Sequence, residues 1–125
     1  MGAGQPCGCR LRLLPEMRLS DPRVFMEIKA RGKRLAIGCM IANWRELPEG
    51  SISQIGIITG KKLGNSVVRS RARRLLRECF RLHQRKLGNP VQMVLVARQS
   101  IVHRKWGQVE SDYLAILKQA RLLNH

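Results

Sequence analysis

Residues 61–78 hold the side chains best suited to chemistry. Lys61, Lys62, Arg69, Arg71, Arg73, Arg74 and Arg77 stand there against a single acid, Glu78. Cations at that density repel one another unless a polyanion is expected beside them. Arginine suits phosphate better than lysine does, because its planar fork grips two oxygens at once. Arg71, Arg73, Arg74 and Arg77, with Arg69 near the start of the run, are therefore candidate phosphate contacts. Lys61 and Lys62 precede a helix start whose backbone N–H groups favour an anion, which makes a second anion site. Each phosphate neutralised releases condensed counterions, so binding should weaken steeply with salt.

Hydrolytic chemistry is far less visible. The histidines at 83, 103 and 125 do not combine with a nucleophile and an acid into a catalytic set, and the eight acids are scattered without the pairing that metal-dependent phosphodiester hydrolysis needs. His83 reads as a packed core histidine and His103 as a solvent-facing one. Gly56-Ile57-Ile58-Thr59-Gly60-Lys61-Lys62 has one residue too few between its glycines for a nucleotide-binding loop, and Lys62 stands where a hydroxyl would reach the metal. Cys7-Gly8-Cys9 has no matching Cys/His pair at zinc spacing. Cys39 and Cys79 lie in apolar patterns and read as buried free thiols, as a reducing cytoplasm allows.

The elements that must position the cations follow from periodicity. Val68, Ala72, Leu75, Leu76, Cys79 and His83 fall on one side of a helix running from Val67 to about Lys86; Arg71, Arg73, Arg74, Arg77, Arg81 and Arg85 fall on the other. Gly88-Asn89-Pro90 ends it. Upstream, Ser20-Asp21-Pro22 caps a helix carrying Val24, Phe25 and Ile28 on one face and stopping near Gly32. Phe25 could stack on a single-stranded base, or pack as an ordinary core residue. The spacing predicts one strand over Leu35–Trp44, with Leu35, Ile37, Cys39 and Ile41 on one face and Ala36, Gly38, Met40 and Ala42 on the other. Strands follow at Gln54–Thr59 and Val91–Ala97, then a last helix from Trp106. The order α-β-β-α-β-α describes an α+β two-layer sandwich, a small mixed sheet with helices packed mainly on one face.

At 125 residues, with a net charge of +16 and 44% hydrophobic residues, the chain suits one folded, cationic domain. Residues 1–12 read as a variable N-terminal segment outside it. No apolar run approaches the ~20 residues of a membrane span, and no membrane partner is expected.

From about residue 13 to 123 the chain resembles the protein subunit of bacterial ribonuclease P. The resemblance rests on Ile55-Gly56-Ile57, on Lys61-Lys62-Leu63-Gly64-Asn65, and on the run from Val67 to Glu78. Arg18-Leu19 ahead of a Phe-bearing helix, and Val94 to Arg98 after the run, keep the family order. Ser66 stands where the family usually has Ala, Ser70 where it has Asn, Arg73 where it has Lys, and Lys29 where a second aromatic is common. The resemblance implies a left-handed βαβ crossover, a catalytic RNA partner that carries the cleavage with bound magnesium, and precursor tRNA as substrate. It implies no catalytic residue in the protein. Lys61, Lys62, Asn65, Arg69, Arg71, Arg73, Arg74 and Arg77 would meet the catalytic RNA. Phe25 and Lys29, with the strand residue Met40, would meet the 5′ leader in a cleft between the first helix and the sheet. The alternative from another class is a general basic RNA-binding or ribosomal-type module without processing activity, and a protein-only nuclease is a second rival.

Overall fold

The computed structural model describes residues 15–123. The segment 1–12, with Cys7 and Cys9, lies outside the described residues, as does His125. The first helix, α1, spans Pro22–Arg31. Asp21 caps it, Oδ1 accepting from the Arg23 N–H at 2.9 Å, and Pro22 occupies a first-turn position where a missing N–H costs nothing. Gly32 closes it, its N–H donating to Ile28 O at 2.7 Å.

The apolar run that follows departs from the sequence expectation. It is two strands, β1 (Lys33–Ile37) and β2 (Met40–Glu46), joined by the two-residue turn Gly38-Cys39. Gly38 has φ +58, the conformation a tight hairpin requires at its first turn position and one that an L side chain rarely adopts. The turn is held from a distance. Asp112 Oδ2 accepts from the Cys39 N–H at 3.0 Å, and the Arg98 N–H donates to Cys39 O at 2.9 Å. The turn also re-phases the two faces. Ile37 pairs with Met40, and Ala36 with Ile41, so Met40 joins Leu35 and Ile37 on one side while Ile41 joins Ala36 on the other.

Strands β3 (Gln54–Ile58) and β4 (Val91–Ala97) complete a mixed sheet in the order β1-β2-β4-β3. β4 runs antiparallel to β2 and parallel to β3. A parallel pair needs a long crossover, and α2 (Ser66–His83) supplies it. The last helix, α3, spans Trp106–Gln119. The observed order is thus α-β-β-β-α-β-α, within the expected α+β class.

One sheet face buries Met40, Ala42, Trp44, Ile55, Met93 and Leu95 against Leu76 and Phe80 of α2 and Tyr113 and Ile116 of α3, forming the main core. The opposite face carries α1. Ile28 and Val94 are buried there, outside the main core, and the Phe25 ring lies against Gly56 so closely that a Cβ would collide with it.

Candidate nucleic-acid interface

α2 begins at a cap. Asn65 Oδ1 accepts from the Val68 N–H at 3.1 Å, so this predicted RNA contact also holds the helix start. Ahead of it, Lys61 and Lys62 are exposed on a 3₁₀ turn, Lys61–Leu63, anchored by buried Leu63. The inner face buries Ala72, Leu76, Cys79, Phe80 and His83, matching the sequence periodicity. Burial pushes the Cys79 and Cys39 thiols each up to about 12, so both stay protonated at neutral pH. His83 is 8% exposed, with Nε2 2.8 Å from Glu110 Oε2 on α3, which places it in the core as expected. His103 is exposed, also as expected.

The outward side sorts its arginines by what they already hold. Arg74 and Arg77 are exposed and have no hydrogen bond or ion pair among the described residues. Arg73 is half-buried and tethered, with Nη1 donating to Thr59 Oγ1 at 2.9 Å and Nη2 to Ser70 Oγ at 3.2 Å. Arg71 turns the other way, and Nη2 donates to the backbone carbonyl of Arg104 at 2.7 Å. Arg81 is closed off by two hydrogen bonds to Glu78, at 2.7 and 2.8 Å. The bond from Arg81 holds the Glu78 carboxyl below the usual glutamate range, against the opposing effect of burial. Arg69 is half-buried, its Nε without a hydrogen-bond partner among the described residues. The crest left open to a polyanion is Arg74 and Arg77. Val67, 75% exposed, lies at the head of α2 near Arg74.

Beside α1 the open sheet face is built in three rows. Gln54, Gln92 and Arg45 form a polar row, bonded in series at 2.7 and 2.6 Å and closed by an Arg45–Glu27 ion pair to α1. Gly56, Val94 and Asn43 form the middle row. Ile58, Val96, Ile41 and Ala36 form an aliphatic row crossing all four strands, and each is at least partly exposed. Glu27 fixes one flank of α1 to the polar row. Lys29, about 200° round the helix, therefore sits on the flank toward the aliphatic row. At the Ile58–Val96 end a depression of about 560 Å³ opens toward Lys61, Lys62 and Gln99. Past the outer edge of β3, Phe25 and Arg18 share a groove of about 310 Å³ with Arg73 and Arg77.

The ribonuclease P family profile matches residues 13–121, 109 of the 125 positions. The chain belongs to the ribonuclease P protein family. The ribonuclease P protein component of Syntrophomonas wolfei is 35% identical over 105 residues, covering 84% of this chain and 87% of its own. That of Clostridium novyi is 39% identical over 101 residues, covering 80% and 89%. The Staphylococcus aureus RNase P protein superposes with a TM-score of 0.78 at 26% identity, covering 86% of this chain and 98% of its own. Membership in the ribonuclease P family makes tRNA processing the setting of this protein and RNA the class of its partner.

Set on a ribonuclease P protein, the expected contacts divide. Lys61, Lys62 and Asn65 lead into α2, Arg74 and Arg77 lie along its exposed side, and Phe25 and Lys29 lie on α1 beside the open sheet face. Met40 does not belong with them. It is 0% exposed in the main core, because the hairpin turn reverses the face assigned to it. Its neighbour Ile41 lies on the open face instead. Sequence reading also passed over Arg18, which the bridge between Arg18 and Ile55 brings beside Arg73 and Arg77. The glycine inside the run was the one signal available for Ile41; Arg18 carried only its place in the family order.

Proposed function

We propose that this chain is the protein subunit of a bacterial ribonuclease P holoenzyme. It binds the catalytic RNA through the α2 crest and the Lys61–Asn65 approach, and binds the single-stranded 5′ leader of precursor tRNA along the cleft beside α1. Phosphodiester hydrolysis and its magnesium belong to the RNA. The observation that carries the reading is an exposed pair of arginines, Arg74 and Arg77, without a partner among the described residues, on a helix whose single acid is already engaged by Arg81. Among the described residues no three His, Cys, Asp or Glu side chains come together as a metal cage. The aliphatic row suits a sequence-tolerant strand, since its side chains pack against sugars and base faces without reading base edges.

The test is cleavage of a precursor tRNA by a bacterial ribonuclease P RNA at low magnesium, with and without the full chain. Protein-dependent cleavage at the mature 5′ end, lost on Arg74→Glu/Arg77→Glu, is the expected result. RNA binding without stimulation would instead favour a general RNA-binding module.

A further inference from the structure

The sequence places Arg71 among the phosphate contacts, yet its guanidinium is turned to the protein. Nη2 donates to Arg104 O at 2.7 Å, and Nη1 makes a longer contact with Ile101 O at 3.5 Å. Those carbonyls flank the end of the 3₁₀ turn Gln99–His103, where the Arg104 N–H already donates to Ile101 O at 3.1 Å. A cation bridging the last carbonyls of a helical turn caps it and fixes where the chain goes next. The next residues are Arg104 and Lys105, directly before α3.

The segment is itself cationic. Arg98, His103, Arg104 and Lys105 fall within residues 98–105, which contain no acid. His103 and Lys105 are exposed and Arg104 is half-exposed; neither Arg104 nor Lys105 has an ion-pair partner among the described residues. Ile101 is fully buried and pins the turn to the core from below. From above, the described tie to the α2 crest is Arg71. The turn also packs against both α2 and the Lys61–Leu63 turn, so its cations extend the surface those elements present.

We propose that Arg71 is a positioning residue, which presents Arg104 and Lys105 to RNA phosphates as a second cationic row beside the α2 crest. The partner class rests on the reading above; the brace itself does not. Its planar fork spans two carbonyls, and a lysine ammonium, a point donor on a flexible stem, cannot reproduce that. The second row thereby gains a fixed distance to Arg74 and Arg77, so that one RNA backbone can meet both.

The test is a double-mutant cycle with the full chain and a bacterial ribonuclease P RNA transcript, read as affinity across a salt series. Arg71→Ala should weaken binding about tenfold in the wild-type background, and by less than about twofold once Arg104→Gln/Lys105→Gln is present. Its salt slope should fall by more than the ~0.7–0.9 of a single phosphate contact. Arg71→Lys, which keeps the charge, should behave like Arg71→Ala. Amide hydrogen exchange without RNA should quicken at residues 101–105 in both Arg71 variants. An additive cycle, a one-phosphate change in slope and a near-wild-type Arg71→Lys would make Arg71 a direct contact and overturn the proposal. Cleavage stimulation, measured in parallel, tests the ribonuclease P reading separately. Non-additive binding without stimulation would keep the brace and remove the holoenzyme assignment.

Discussion

An arginine serves a polyanion according to what its fork already holds. Arg74 and Arg77 hold nothing among the described residues, so Arg74→Ala and Arg77→Ala should each lower the salt slope of RNA binding by about 0.7–0.9, measured by titration across a salt series. Arg81 is the opposite case. Arg81→Ala should change the slope by much less than either, because Glu78 already holds its fork. The pair's own contribution to stability has a defined pH sense. The Glu78 value is lowered in the folded chain, so the contribution is complete above the ordinary glutamate value of 4.5 and is lost as pH falls through the lowered one. Composition located these arginines but not their engagements, because Thr59 and the carbonyls of Ile101 and Arg104 reach them only through tertiary packing. Met40 and Ile41 make the same point for apolar side chains. Met40→Ala should cost about 2–5 kcal/mol in urea unfolding, as a cavity in the core does. Ile41→Ser should leave the urea midpoint close to wild type and weaken binding of a single-stranded leader oligonucleotide.

Elements whose signals are local were legible in advance. α2 has its cap at Asn65 and its apolar face at helical spacing, both in or beside its own segment, although it stops at His83 and a 3₁₀ turn, Gln84–Lys86, replaces the last turn expected before Gly88. α1 likewise reads from Asp21-Pro22 to Gly32. The hairpin does not, because nothing near Gly38 in sequence marks the turn as strongly as its distant partners do. Asp112 holds the Cys39 N–H from 73 residues away, and Arg98 holds the Cys39 carbonyl. Without those partners the run from Leu35 to Trp44 reads as unbroken, and every residue after Gly38 is assigned to the wrong face. Gly38→Ala meets both a φ of +58 and the Asp112 carboxylate. It should cost roughly 1–3 kcal/mol, checked by thermal unfolding. Asp112→Ala in the same chain should not restore stability, since it clears the space but removes the acceptor from the Cys39 N–H.

The whole molecule carries +16, and several of its few acids are engaged internally, Glu27 by Arg45, Glu78 by Arg81 and Glu110 by His83. Self-repulsion of that size works against the compact state. Raising salt from 0.05 to 0.5 M, on the order of a threefold shortening of the screening length, should therefore raise the melting temperature of the free protein. The same series should weaken its RNA complex, so the two curves move in opposite directions. The fold class was legible from the order of elements. Which sheet face stays open was not, because it depends on α1 leaving the main core and lying across the reverse of the sheet. That placement sets an order of events when the molecule comes apart. α1 contributes one fully buried side chain, Ile28, and touches the sheet through Phe25 and one exposed ion pair, whereas α2 and α3 share the main core. On gradual denaturation α1 should peel away while the sheet and its other two helices hold. The seam between α1 and the sheet is then the weakest in the molecule, opened at less than the cost of unfolding the chain.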